Sequence, residues 1–524
     1  MRSGRSLSGL SIILVSAIAL LCDEVEAAES ARPSRPNIIL FLVDDMGWSD
    51  CGAYGSTYYE TPNIDAFAKK AMRFTDAYAQ PLCSPTRGCI LTGKHAARHG
   101  ITSATGHISP QGAGFEILPA AAPPNQRMRT PASKNYLDPE EYTLAEALRD
   151  AGYRTAHVGK WHLGLIRPHW PERQGFEVAF HCHPDPGPPG FYFSPYGVHP
   201  SGAPSQGRRV GTITDGPKGE YIVDRLADEA IRFIETDSEK PFFLNLWSYG
   251  VHGPWGHKEE YTKGFASKVD PSGRQQNPIM ASMLRSVDEC FGKVLTAVER
   301  RGLSGNTIIV FNSDNGGNVV SNTPADQGFQ QRKATVPPLA TWEQWAGKNP
   351  PTNNAPLREG KASLYEGGTR VPLMWSWPGK ITSGTTNASV VGHIDLYPTL
   401  LALAGLDKPT SQAMDGISYA NVLQGGGTLD RVAFFNYFPH FGGPGNAGGA
   451  WVRRGNRKLI RWFGAAPEER FELYDLSGDI GESKNLAASE PEEVRDLDAQ
   501  LEQFLEDTGA VLPQPNPAYR PTPK

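Results

Sequence analysis

The chain has 524 residues, 39% hydrophobic and 10% aromatic, with a net charge of −5 at pH 7. That length allows a large buried core, and the composition excludes wholesale disorder. A mildly acidic balance with no basic block argues against nucleic acid as a partner.

Arg2 and Arg5 precede an apolar run, Leu10 to Leu21, and small residues follow at Val25 and Ala27. This is the pattern of a cleavable secretory signal, here residues 1–27. The run is shorter than the roughly 18 apolar residues of a membrane span. An exported protein without a stable membrane anchor, periplasmic or extracellular, is expected. Loss of Cys22 with the signal leaves Cys51, Cys83, Cys89, Cys182 and Cys290, an odd number for an oxidising compartment. If Cys83 is not a thiol, the other four are left as two bridges or as buried thiols.

Beyond the signal, "NIILFLVDD" (Asn37 to Asp45) reads as a strand buried on both faces and ending in two acids. "CSPTRGCILTG" follows, with Pro85 suited to a first helical turn and Cys83 at the helix N-terminus. "TLAEALRDAGY" opens with Thr143 and Glu146 in capping-box spacing. Then come a strand from Thr155 ending in Lys160 and His162, a helix over Tyr221 to Thr236, and a strand from Pro241 leading to His252. A helix over Ser282 to Val298 and a strand from Asn306 ending in Asp314 and Asn315 complete the alternation. Strand and helix in alternation predict an α/β fold, a mainly parallel sheet sandwiched by helices. Its polar strand ends would converge at the carboxyl edge.

Long Gly- and Pro-rich inserts at about residues 105–141, 185–219 and 318–356 would wall a site. From about Gly425 the texture changes to antiparallel strands and a closing amphipathic helix, a small α+β domain over residues 425–512. The Pro-rich tail, 513–524, reads as disordered.

Asp44, Asp45, Asp314 and Asn315 offer oxygen donors only, which suits Ca²⁺ or Mg²⁺ rather than zinc. Singly, such acids more often cap a turn. Together with a metal, Arg87, Lys160, His162, His252 and Lys361 would bind a tetrahedral oxyanion, and the histidines can also trade protons near neutral pH. Cys83 stays open on these grounds between thiolate, disulfide half and modified residue. A pairing with Cys89 is awkward, since on one helix the two point to different faces.

Cys83-Ser84-Pro85-Thr86-Arg87-Gly88 with "LTGK" resembles the signature of the formylglycine-dependent sulfatases, of the alkaline phosphatase superfamily. Thr86 is a mild variation. "PNIILFLVDDMGWSD", "GKWHLG", "SDNGG", "GKASLYEGGTRVP" and "ELYDL" with "NLA" resemble further segments of that family, in its order. The resemblance implies an alkaline phosphatase-like catalytic domain over residues 36–424. It implies enzymatic conversion of Cys83 to Cα-formylglycine by a maturation enzyme, and one Ca²⁺ held by Asp44, Asp45, Asp314, Asn315 and the modified Cys83. Arg87 would hold the formylglycine. Lys160, Lys361 and His252 would bind sulfate, His252 or Lys361 would protonate the leaving alcohol, and His162 would serve the second half-reaction. "YGVHGPW" around His252 is the loosest match.

The expected activity is hydrolysis of a sulfuric ester, with a carbohydrate sulfate as substrate. The aromatics of Gly190 to Tyr196 are candidates for stacking on a sugar. Other readings are a phosphodiesterase or phosphonate monoester hydrolase of the same superfamily, and a non-catalytic calcium-dependent carbohydrate-binding protein. A single sequon, Asn387-Ala388-Ser389, favours a bacterial exported enzyme.

Overall fold

In a computed structural model the protein is described at Met1 and over residues 35–104, 116–164, 166–181, 187–196, 211–320 and 339–520. The expected signal, Cys22 and Cys182 lie outside the described residues.

Eight strands form the main sheet: β1 (Asn37–Val43), β2 (Met72–Phe74), β3 (Arg154–Gly159), β4 (Val178–Phe180), β5 (Phe242–Trp247), β6 (Thr307–Ser313), β7 (Leu373–Ser376) and β8 (Thr385–Asn387). Their order across the sheet is β8-β2-β7-β6-β1-β5-β3-β4. Every pairing is parallel except the two made by β7, which runs against β2 and β6. The sheet is thus mixed and mainly parallel, as the alternating pattern requires. The short strands β2, β7 and β8 carry no periodic signal of their own. Pairing with a finished sheet supplies what three or four residues cannot specify.

All of β1 is buried, and its alternate residues feed two cores. Ile39, Phe41 and Val43 face helices α3 (Ile222–Glu235) and α4 (Pro278–Arg300). Ile38, Leu40 and Leu42 face α1 (Cys83–Thr92), α2 (Leu144–Asp150) and α5 (Leu396–Leu403). A strand loaded on both faces has to be covered on both. The predicted capping box at Thr143 and Glu146 starts α2, and Asn277 caps α4 by accepting from the N–H groups of Ile279 and Met280.

A four-stranded antiparallel meander follows: β9 (Phe434–Phe438), β10 (Gly449–Arg454), β11 (Arg457–Trp462) and β12 (Phe471–Asp475). One face takes Val494, Leu497, Leu501 and Leu505 of α6 (Pro491–Thr508) against Val452, Leu459 and Leu473. The other presents Trp451, Ile460 and Trp462 to Leu82, Leu364 and Tyr365 of the main layer. Pro36–Lys524 accordingly forms one compact unit. The tail departs from expectation. Gln514 and Pro515 pair with Met128 and Arg129, and buried Asn516 donates to the carbonyls of Pro123 and Gln126. Composition pointed to disorder, but tertiary hydrogen bonds hold residues 513–520. Residues 521–524 lie outside the described residues.

Candidate active site

The sheet register assembles the site. Val43 pairs with Ser313, so Asp44 and Asp314 leave neighbouring strands side by side, and the Asp314 N–H donates to the Val43 carbonyl at 3.1 Å. Gly159 pairs with Trp247, which brings Lys160 beside the residues leading to His252. Asp44 clamps that second segment by donating its N–H to the Gly250 carbonyl and accepting from Val251. Asp45 and His162 adopt left-handed backbone conformations, φ 63° and 60°. Such strain in non-glycine residues collects at functional sites, held by the surrounding structure.

Helix α1 begins at Cys83, with Pro85 in its first turn as predicted. Cys83 and Cys89 on it are unpaired thiols, as are Cys51 and Cys290. Cys83 is buried, with Sγ 3.2 Å from His162 Nδ1, and Ser84 Oγ donates to the His162 carbonyl at 2.9 Å. One helical turn on, fully buried Arg87 donates from Nη2 and Nε to Asp314 Oδ2 at 2.7 and 3.2 Å. Its Nη1 donates to the Lys160 carbonyl at 2.9 Å, and its guanidinium lies 4.9 Å from the Trp247 ring centroid.

Two lysines meet the two leading acids. Lys160 Nζ donates to Asp44 Oδ2 at 2.5 Å, and Lys361 Nζ to both oxygens of Asp45 at 2.6 and 2.8 Å. Asn315 Nδ2 donates to Asp45 Oδ1 at 2.9 Å, and His252 Nε2 lies 3.9 Å from Asp45 Oδ2. Donor atoms of Asp44, Cys83 and Asp314 lie within 4.8 Å of one another, as do those of Asp44, Asp45 and His252. Every residue predicted for the site, from Asp44 to Lys361, therefore belongs to one connected cluster.

Its electrostatics follow from burial. Burial opposes ionisation of Asp45, but Lys361, His252 and Lys160 outweigh it and hold the carboxyl well below the usual range. Burial, then repulsion from Asp44, pushes Asp314 up to about 6 despite Arg87. Burial pushes the Cys83 thiol up against the pull of Lys160 and Lys361. Burial, with both lysines, pushes His252 down to about 3, so its imidazole is neutral. Asp44 Oδ1 and Asn315 Oδ1 are buried with no hydrogen-bond partner. Orphaned oxygens among crowded carboxylates are the donor set of a hard divalent cation.

Most of the aromatics of Gly190 to Tyr196 pack inward, and only Phe193, set against Tyr221, stays partly exposed. Phe191, Tyr192 and Tyr196 are buried, and Tyr192 Oη donates to the carbonyls of Tyr249 and His252 at 2.7 Å each. The segment props His252 from behind. Sequence reasoning missed that role, and missed Trp247 beneath Arg87; neither contact leaves a signal in local spacing.

A mixed, mainly parallel sheet with acids and cations gathered at its carboxyl edge defines an alkaline phosphatase-like hydrolase. The Sulfatase family profile matches residues 36–406, and the profile of the N-sulphoglucosamine sulphohydrolase C-terminal region matches residues 360–510. A sulfatase of Formosa agariphila is 30% identical over 511 residues, covering 87% of this chain and 85% of its own. The N-acetylgalactosamine-6-sulfatase of Rattus norvegicus is 31% identical over 438 residues, covering 81% and 71%. The crystal structure of Ps i-CgsB in complex with k-i-k-neocarrahexaose superposes with a TM-score of 0.68 at 25% identity, covering 93% of this chain and 95% of that one. The chain belongs to the sulfatase family, and it is an enzyme that hydrolyses sulfate esters.

Proposed function

We propose that the enzyme removes sulfate from a carbohydrate, using a Cα-formylglycine made from Cys83 by a separate maturation enzyme and one bound Ca²⁺. The observation that carries this reading is the position of Cys83. It heads α1, buried, with His162 Nδ1 at 3.2 Å and the donor atoms of Asp44 and Asp314 within 4.8 Å. A thiol pushed up by burial is a poor thiolate, so an unmodified Cys83 makes a weak nucleophile. A hydrated aldehyde at position 83 supplies two hydroxyl groups on one carbon, chemistry that a thiol or a serine lacks.

The orphaned oxygens of Asp44 and Asn315 fit a hard cation, which Asp44, Asp45, Asp314, Asn315 and residue 83 would hold. Such an ion supplies Lewis-acid stabilisation of charge on the transferring group. The chain's own groups do the rest. Arg87, forked onto Asp314 and the Lys160 carbonyl, orients residue 83 and offsets nearby negative charge. Lys160, Lys361 and His252 surround the acids and bind the sulfate oxygens. Lys361 stands where a leaving alcohol takes its proton, with the neutral His252 beside it as a hydrogen-bonding group. Asp314 accepts the proton of the attacking hydroxyl, and His162 accepts the one lost as sulfate departs.

Sulfatases named for a sugar sulfate, such as the rat N-acetylgalactosamine-6-sulfatase, support a carbohydrate substrate. Among the described residues no helix is long and apolar enough to cross a membrane. The signal pattern of residues 1–27 supports export. The test is the mass of the tryptic peptide Phe74 to Arg87, taken from protein that hydrolyses O-sulfated saccharides faster than aryl phosphate diesters. An aldehyde or its hydrate at position 83 is expected. An intact thiol in fully active protein would rule out formylglycine.

A further inference from the structure

The geometry points to Asn354 as the positioning residue for Lys361, a clamp joining three of the loops that build the site. This rests on the proposed role of Lys361 as a sulfate ligand. Asn354 lies in an irregular insert and is almost wholly buried, 1% exposed. Its side-chain amide is fully engaged with two of those loops. Oδ1 accepts from the Gly317 N–H at 3.3 Å, and Nδ2 donates to the carbonyls of Gly317 at 3.0 Å and Glu359 at 2.9 Å. Gly317 follows Asp314 and Asn315, and Glu359 precedes Lys361.

The third loop meets the amide through close approach. A Cβ on Gly47, just past Asp44 and Asp45, would lie 2.2 Å from Asn354 Oδ1. One on Gly317 would lie 2.9 Å from the same atom, and one on Gly360 would lie 2.6 Å from Nδ2. Three glycines, one from each segment, thus press their backbones against one amide. A side chain on any of them would force the loops apart.

Lys361 needs such a clamp because of its backbone. Glu359 and Ala362 on either side take left-handed conformations, φ 58° and 69°, which non-glycine residues hold only under constraint. The Lys361 N–H donates to the Gly317 carbonyl and the Ala362 N–H to that of Pro81, just ahead of Cys83. Asn354 supplies the side-chain restraint, on the Glu359 carbonyl. Releasing it lets the strained turn relax and draws the ammonium away from Asp45, its partner at 2.6 Å.

The test uses Asn354→Asp, which keeps the shape and one acceptor but loses both donors, and Asn354→Ala, each alone and with Lys361→Ala in the full-length enzyme. Each single Asn354 variant is expected to lose about 10-fold or more in kcat/KM, since small misplacements of binding groups are costly. In the Lys361→Ala background the same changes should cost less than about twofold, because the two residues act as one unit. Hydrogen exchange should quicken in the peptide spanning residues 357–365 and stay unchanged in residues 144–150. Unchanged exchange at 357–365 in Asn354→Asp, or equal losses of activity in both backgrounds, would overturn the clamp. Near-full activity of Lys361→Ala would instead overturn the role of Lys361 on which the clamp depends.

Discussion

Arg87 makes three donor contacts at fixed angles and rests on an aromatic face, which a lysine cannot reproduce. Arg87→Lys is expected to lower kcat by about 100-fold or more, as for loss of a fixed charge-stabilising donor. It should also lower the denaturation midpoint, because a lysine's single ammonium cannot keep the paired donation to Asp314 and still reach Asp44 and the Lys160 carbonyl. A variant with full activity would show that the fork does not orient residue 83. The orphaned oxygens of Asp44 and Asn315 lead to a second expectation. Stripping divalent cations with EGTA should reduce both activity and thermal midpoint, and Ca²⁺ should restore them better than Mg²⁺, whose small octahedral shell suits a crowded carboxylate site less well. Indifference to chelation would remove the metal from the mechanism.

Among the elements, buried cations join the meander to the main sheet: Arg453 on β10 pairs with Asp76 at 2.6 Å, and Lys458 reaches further toward the site. Lys458 on β11 has a fully buried side chain. It donates to Glu366 at 2.8 Å and to the Leu364 carbonyl at 3.0 Å, and lies 2.8 Å from Glu482. Glu366 opens the short helix Glu366–Thr369 just past Lys361, so this lysine ties the smaller sheet to the edge of the site. Burial pushes the Glu482 carboxyl up to about 7, while Glu366 is held down to about 2, burial being outweighed by Lys458, Arg370 and Arg453. Lys458→Met leaves two buried carboxylates with one charge too few. It should destabilise the protein by about 3–5 kcal/mol in denaturant titrations, the range for breaking one partner of a buried pair. A loss under about 1 kcal/mol would mean that the network is solvated and behaves as a surface pair. Elements also differ in how legible they were. Strand β1 and helices α2, α3 and α4 announce themselves by period and caps. Strands β2, β7 and β8 are too short for any period and exist because a neighbour offers an unpaired edge.

For the whole molecule, buried histidines contribute to the response to acid. Burial pushes His95 down to about 4 and His99 down to about 3; Asp415 and Arg98 face the first, and His95, Lys134 and Asp415 the second. In the unfolded chain both titrate near 6.5. Between those values the unfolded state binds protons that the folded state refuses, so the contribution of these two histidines is complete above about pH 6.5 and is lost as pH drops toward 4. Each histidine contributes a slope of about 1.4 kcal/mol per pH unit in that window. His99→Gln should flatten the decline in midpoint between pH 6.5 and 4. An unchanged slope would place the acid sensitivity elsewhere.

The sequence by itself determined the alternation of buried strands and helices. It also determined the chemical type at each strand end, because a strand buried on both faces and a capped helix leave local patterns. Asp44, Asp45, Cys83, Arg87, Lys160, His162, His252, Asp314, Asn315 and Lys361 could all be singled out that way. Only the tertiary structure decided that these ends meet, through the Val43–Ser313 and Gly159–Trp247 registers. It alone showed that Tyr192 props His252 instead of facing a sugar, that the tail is held by Asn516, and that Asn354 gathers three loops. Those roles depend on hydrogen bonds and close approaches between residues far apart in the chain, which no local periodicity encodes.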